Sequence, residues 1–505
     1  MLCACSVFRR PVPVEFWYAM LPKGDADSAF DTLQDRNLVE YASTPSPSTL
    51  HPLPLFIKQH NLIRSVASSL LKADSTIWKA AERQAAHLWL TAYQPTPNAP
   101  NLETVRGYLE AFDHYCEVGD WDAAEKIAWI RMDTPTKDSL CLQLGTWSYF
   151  REQVLVYSKQ LEIACKKSDR QREGATLSNL GLAYSSLGQY ERAIDFYQQA
   201  LAIAREIDNR QGEGPALGNL GLAYSRLGQY ERAIDFYQQH LMIAREIDNR
   251  RGEGNTLGNL GSVYYKLGQY ERAIDFYQQA LMIAREIGSR QTEGSNLNNL
   301  GSLHYSLGQY ERAIDFYQQA LVIAREIGSR QREGSALGNL GLAYNDLGQY
   351  ERAIDFHQQR LVITREIGDR QGESYSLNNL GMVYHNLKQY ERTIDFYQRS
   401  LTIKRQIGDR WAESITLIKM GATQLKLEKY LESLDSNRAG LEISQDIGDK
   451  TTEAEALKNL AEVHHALGEV EVALLHAQQA LALATELGIP LKAECEALLE
   501  ELEKG

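Results

Sequence analysis

Apolar positions in this chain follow a helical period, and from residue 177 the whole pattern returns every forty residues. In the first copy Leu177, Leu180, Gly181, Tyr184 and Leu187 fall at i, i+3, i+4, i+7 and i+10, one stripe of a helix. Gly188-Gln189 interrupts the stripe. The period resumes over Tyr190 to Ile207, with Ala193, Tyr197, Ala200, Leu201 and Ala204 on one face and Glu191, Arg192 and Asp195 on the other. A short "DNR" or "GSR" segment then turns the chain. Glu213 and its copies stand in the next first turn, where a carboxylate suits the helix dipole. Two helices with short connections predict antiparallel neighbours, and such pairs stack into a solenoid because none can bury its apolar face alone.

The register holds over eight copies. Gly181 returns as Gly221, Gly261, Gly301, Gly341, Gly381 and Gly421, then as Ala461; Tyr190 returns through Tyr430 and ends as Val470. A worn copy precedes them, with Phe150 where Tyr190 would stand and Tyr157-x-x-x-Leu161 matching Tyr197-x-x-x-Leu201, and reads as a cap. Eleven of thirteen prolines and five of seven tryptophans lie before residue 136, so that part is built differently. The expected organisation is an N-terminal segment (1–62), helical hairpins (63–136), the worn capping repeat (137–176), eight repeats (177–487) and a C-terminal capping helix (488–505). The expected fold class is all-α.

Composition narrows the function. The formal net charge of −13 argues against a general nucleic-acid or anionic-membrane binder, which needs a basic face. No apolar run approaches a transmembrane span, and the N-terminus lacks the basic-then-apolar layout of a signal peptide. Six scattered cysteines fit a reduced, cytoplasmic setting better than a disulfide framework. Cys3-x-Cys5 has no second pair to complete a metal site, and the adjacent His464 and His465 point different ways on a helix. No phosphate loop occurs, and Cys495 has no paired His motif, so neither a metal, a cofactor nor catalysis is expected.

The pattern L-x-x-L-G-x-x-Y-x-x-L-G-x-Y-x-x-A-x-x-x-Y-x-x-A-L resembles the tetratricopeptide repeat (TPR), with Leu177 where that family often has Trp. Units of forty residues are similar to those of kinesin light chains and the Leu-Gly-Asn-rich spindle-orientation adaptors. The family's usual proline at the end of the second helix is missing, and Arg205 takes its place. The resemblance implies a right-handed superhelix whose concave wall, lined by first helices, grips peptides or partner proteins.

On that wall the candidate site is a column of asparagines. Asn179 lies two residues from Leu177, about 200° around the helix, and therefore points away from the core. It returns as Asn219, Asn259, Asn299, Asn339, Asn379 and Asn459, with Lys419 the exception. A carboxamide carries both donor and acceptor and can pair with the backbone of an extended peptide. In TPR proteins that hold peptides, an asparagine at this place does so. The bland alternative is that each bonds within its own hairpin or faces water.

Beside the column, Gly218, Gly258 and Gly338 sit mid-helix at a cost of about 1 kcal/mol each relative to Ala. Either a ligand backbone approaches them or a tolerated residue has been duplicated. Specificity is expected from wall positions that vary: Leu182, Leu222, Ser262, Ser302, Leu342 and Met382, then Tyr265, Tyr305, Asn345 and His385, with Arg226 and Lys266 favouring an acidic ligand. His240 and Arg360, replacing Ala200 at an inter-repeat contact, read as snorkelling side chains.

Residues 29–62 ("AFDTLQDRNLVEYASTPSPSTLHPLPLFIKQHNL") resemble the end of the winged-helix segment that follows the nucleotide domain in signal-transducing NTPases of the STAND type. That resemblance implies a sensor arm working with an NTPase module in trans; an ordinary helical N-cap with a Pro-rich loop is the alternative. The leading expectation is a non-enzymatic scaffold for a protein or peptide partner.

Overall fold

The computed structural model describes residues 7–8, 12–20, 33, 39–41, 56–59, 61–96, 99–132 and 137–504. They form two compact units, residues 1–247 and 248–505.

The N-terminal unit opens on three short strands, β1 (Val12–Pro13), β2 (Val39–Tyr41) and β3 (Phe56–Gln59), antiparallel in the order β1-β3-β2. Between β1 and β2, helix Val14–Ala19 buries Phe16 and Trp17. Phe16 meets Trp89 edge-on, at 5.3 Å between ring centres, on helix Ser75–Thr91. That helix is started by Asp74, whose side chain accepts from the N–H of Thr76 and of Ile77. A buried pair ties it to the next hairpin: Glu82 meets His114 Nδ1 at 2.6 Å, and the half-buried Trp78 donates Nε1 to Glu82. Helices Arg106–Glu117 and Trp121–Ala128 form the expected hairpin around Gly119, at φ +70. Residues 133–136, 42–55 and most of 21–38 lie outside the described residues.

From Arg170 onward the first helices run seventeen residues, as Arg170–Ser186 does, and the second seventeen or eighteen, as in Tyr190–Glu206 and Tyr390–Ile407. The break within each pair is a left-handed residue, Gly188 at φ +74 in the first, so glycine is favoured there. Asp169, Asn209, Asp369, Asp409 and Asp449 each accept a backbone N–H three residues on and so start a first helix. Apart from the small sheet, the regular structure of the described residues is helical: an α-solenoid of antiparallel pairs within each unit.

The repeated glycine and tyrosine interlock. A Cβ on Gly301 would stand 2.6 Å from the Tyr317 ring, and Gly221, Gly261 and Gly381 face Tyr237, Tyr277 and Tyr397 in the same way. Where the ring disappears, at Ala477, the glycine becomes Ala461, and both are fully buried. Tyr277 and Tyr317 settle their hydroxyls on Ser262 and Ser302 at 3.0 and 3.2 Å. Those serines, expected to vary with the ligand, are partners of the frame.

A second device joins successive repeats. Glu213, 5% exposed, receives Arg205 Nε at 2.8 Å from the preceding second helix and Arg210 Nη1 at 2.6 Å from its own first turn. In the C-terminal unit Arg285 and Arg290 clamp Glu293, and Arg325 and Arg330 clamp Glu333. Burial disfavours the charge on Glu213, Glu293 and Glu333, but the paired arginines outweigh it and hold each below the usual carboxylate range. The residue standing for the missing proline is thus an inter-repeat tie.

Candidate functional site

Among the described residues, Asn179 and Asn219 in the N-terminal unit have no hydrogen-bond partner, and both side chains lie half-buried on the first-helix face. In the C-terminal unit Asn259 is exposed and Asn299 and Asn379 are half-buried, again without partners among the described residues. Asn339 donates Nδ2 to Asn298 Oδ1 at 2.9 Å, leaving its own oxygen unused. Asn459 differs. It is 8% exposed, and its Nδ2 donates to Asn437 at 3.2 Å and to the Ile418 carbonyl at 3.4 Å. The asparagine replacing a core tyrosine at position 437 draws it inward, so Asn459 leaves the column.

The variable wall positions form a ladder between neighbouring first helices. Tyr265 and Ser306 share a hydrogen bond of 2.7 Å, Tyr305 donates to Asp346, and Asn386 donates to Asn345 at 2.9 Å. His385 Nδ1 meets Thr423 Oγ1 at 3.0 Å. Each of these bonds spans 38 to 41 residues of sequence, so the groups picked as reading a ligand also fix the spacing of the repeats. Asn345, 5% exposed and also donating to Asp346, has its carboxamide committed. Tyr265 and Tyr305 commit their hydroxyls and keep partly exposed rings against Tyr270 and Tyr310. Burial raises the Tyr305 phenol, and the hydrogen bond to Asp346 adds to it. Burial first, then Lys426 and Lys419, lower the His385 imidazole and keep it neutral near pH 7. Arg226 and Lys266 are exposed at the ends of their first helices.

Two of the three mid-helix glycines, Gly218 and Gly338, make room for a side chain of the protein itself. A Cβ on Gly218 would stand 2.8 Å from the His240 ring, and one on Gly338 2.9 Å from Cδ of Arg360. The large residues on the second helices occupy the space the glycines leave. They are half-buried plugs, and burial lowers both His240 and Arg360. The exchange runs in reverse at Gly440, where a Cβ would meet Ile418 at 2.6 Å. Where the second helix carries alanine, a notch stays open: about 130 Å³ beside Ser178 and Ala200, and about 180 Å³ beside Asn298, Asn299 and Ala320. Gly258 faces only Asn296 Oδ1, at 3.2 Å, and Ala280.

Comparison with known proteins decides the family. The tetratricopeptide repeat profile matches residues 156–206, 172–246, 212–286, 292–366, 332–406, 372–446 and 412–486, more than half of the chain. The chain belongs to the tetratricopeptide repeat family. Among solved structures, a STAND protein with a TPR sensor from Pyrococcus horikoshii is similar over 99% of this chain and 64% of its own, with 15% identity and a TM-score of 0.52. This TPR chain therefore spans under two thirds of that protein's length. BtubC from P. vanneervenii is 24% identical over 43% of this chain and 92% of its own, with a TM-score of 0.40. The quorum sensor NprR from B. thuringiensis is 18% identical over 68% of this chain and 99% of its own, at 0.47. A search of curated proteins finds no match. Among the described residues no His, Cys, Asp or Glu cluster has the makings of a metal site, and no helix is long and apolar enough to cross a membrane.

Sequence reasoning missed the arginine clamp and the plugs. The first was legible as Arg205, Arg210 and Glu213 recurring together, a spacing of eight and three. The second was legible in part, since Gly218 and Gly338 are followed at the second-helix contact by His240 and Arg360, whereas Gly258 is followed by Ala280.

Proposed function

We propose that this TPR protein is a non-enzymatic scaffold that binds an extended segment of a partner protein along its first-helix face. One observation supports this above the rest: Asn259, Asn299 and Asn379 repeat on that face, at least partly exposed and with unused carboxamides, and Asn339 has an unused oxygen. Asparagine has no propensity reason to stand mid-helix, and the frame uses none of these groups. Asn179 and Asn219 extend the same role to the N-terminal unit. Ring faces of Tyr265 and Tyr305, the His385 imidazole and the cations Arg226 and Lys266 supply selectivity, with a preference for acidic segments. The setting is cytoplasmic.

The test starts from a displayed random-peptide library selected on the full chain. Replacing Asn259, Asn299 and Asn339 together by Ala is expected to weaken the selected peptides by about 100-fold, at about 1 kcal/mol for each lost hydrogen-bonding group, with helicity unchanged by circular dichroism. Undiminished binding by the triple variant would remove the asparagine column from the function.

A second reading has its own support. The likeness to a STAND protein with a TPR sensor runs over 99% of this chain, and a small antiparallel sheet precedes the helices, as a winged-helix remnant requires. In this reading the chain is the ligand-sensing arm of a signalling NTPase whose nucleotide domain lies elsewhere. Co-purification of a nucleotide-domain protein with the full chain, dependent on residues 1–62, is the expected result; loss of residues 1–62 without effect on the captured protein argues against it.

A further inference from the structure

The N-terminal unit holds a slot that belongs neither to the first-helix face nor to the frame. Its walls are helix Arg106–Glu117 and helix Phe150–Lys166, and it encloses about 300 Å³, the lower end of the range for small-molecule sites, roughly 300–1,000 Å³. The two helices that come between in sequence, Trp121–Ala128 and Leu140–Thr146, have only eight and seven residues, against seventeen in the regular first helices. They stop short, and the longer helices face each other across the gap.

Each wall offers one helical stripe: Arg106, Leu109 and Asp113 on one side, Glu152, Leu155, Val156 and Lys159 on the other, with Phe112 buried at the floor. Leu155 departs from the regular repeats. It is 68% exposed and stands where the regular repeats carry Asp195, Asp235 and Asp275. The same exchange recurs at Leu475, 54% exposed, in the last repeat; Leu155 is the one that lines the slot. Arg106 supplies the polar feature: its Nη2 is held by Glu103, but its Nε–H is buried without an acceptor. Lys159 also has a carboxylate of its own, Glu162 at 3.5 Å. With Arg106 and Lys159 set against Glu110, Asp113 and Glu152, an ion of either sign entering the slot meets its like.

We propose that this slot is a second ligand site, taking a small neutral molecule with an apolar body and one carbonyl-type oxygen. The body lies between Leu109, Phe112, Leu155 and Val156, and the oxygen accepts from Arg106 Nε. The proposal is independent of the asparagine column.

The test titrates the full chain with phenylacetamide and with propylbenzene, an acceptor-free analogue of similar size, by calorimetry and ligand-observed NMR. Phenylacetamide is expected to bind at a single saturable site, at least about five-fold tighter than propylbenzene, from satisfying one buried donor. Leu155→Asp restores the regular repeat residue at an exposed position and is expected to weaken phenylacetamide by about ten-fold through lost apolar contact. Binding of the library peptides remains as in the wild type. Absence of saturable binding, or equal binding by Leu155→Asp, overturns the site; equal affinity for the two probes overturns the role of Arg106.

Discussion

Two repeats of the C-terminal unit share one frame and fill it differently. In the pair Arg290–Ser306 and Tyr310–Glu326, the Tyr317 ring lies over Gly301 and rests its hydroxyl on Ser302. In the pair Arg410–Lys426 and Tyr430–Ile447, the ring is replaced by Asn437, fully buried over Gly421. There the gap is closed by polar bonds: Ser433 donates to the Gly421 carbonyl at 2.7 Å, Asn437 to the Ser433 carbonyl at 2.9 Å, and Asn459 to Asn437 at 3.2 Å. A buried network is tolerable when its members are satisfied, as these are. The lesson is that the first-helix glycine is held by the volume opposite it, aromatic or amide, and is released only where that volume shrinks, at Ala461 and Ala477. The same difference sorts the asparagines. Those of the aromatic repeats remain available at the surface, while the polar repeat draws Asn459 into its core.

The sharpest way to break this comparison is to add one carbon where the ring is present. Gly301→Ala is expected to lose about 3 kcal/mol by overpacking against Tyr317, whereas Ala461→Gly, opposite Ala477, loses only about 1 kcal/mol of helix propensity. Denaturant unfolding of the full chain measures both, and similar losses would remove the ring as the cause.

His357 is the intermediate case, an imidazole in the tyrosine position, fully buried with neither nitrogen paired. Burial, with a smaller effect from Arg360, lowers its pKa to about 3. The sign follows from linkage: the unfolded chain takes up the proton near pH 6.5 and the folded one does not, so stability falls as pH drops below 6.5. By pH 4.5 the loss is roughly 2–3 kcal/mol. His357→Tyr restores the ring and is expected to remove that loss, leaving the smaller slope of His240, His385 and His476, which burial also lowers. An unchanged pH profile would contradict it.

Glu333→Ala tests the tie between repeats and is expected to cost about 2 kcal/mol at pH 7, discounted because Arg325 and Arg330 are half-exposed. Since its folded pKa is depressed, the contribution is present above about pH 4.5, the ordinary glutamate value, and is lost as pH falls through the lower folded value. The variant therefore matches the wild type in strong acid; a constant deficit at all pH would point to packing instead. The smallest effect belongs to the plugs. Gly338→Ala and Arg360→Ala are expected to couple by about 1 kcal/mol in a double-mutant cycle, with the double variant more stable than additivity allows. No coupling would mean that Arg360 swings clear of Gly338.

The frame was legible because its positions recur. Gly181 and Tyr197 return in register, and helical spacing alone places them on facing stripes. The candidate site was legible only in outline. Asn179 and its copies recur and so could be placed on the open face, but the pairs Tyr265–Ser306, Tyr305–Asp346 and Asn345–Asn386 join the same two positions of successive repeats with residue types that change each time. Asn459 fits the column by position, and only the substitution at Asn437, on another helix, turns it inward. The Arg106–Leu155 slot was hidden for a further reason. It arises from the lengths at which two short helices stop, which residue spacing leaves ambiguous by a turn.

The account rests most on the difference between open and closed carboxamides, and the protein selectively labelled with 15N-asparagine reads it directly. On titration with a library-selected peptide, the side-chain amide signals of Asn259, Asn299, Asn339 and Asn379 are predicted to shift together, while those of Asn345, Asn437 and Asn459 stay in place. Saturable peptide binding with the first group unmoved, or with the buried group moving instead, would contradict the claim that the first-helix asparagines hold the partner.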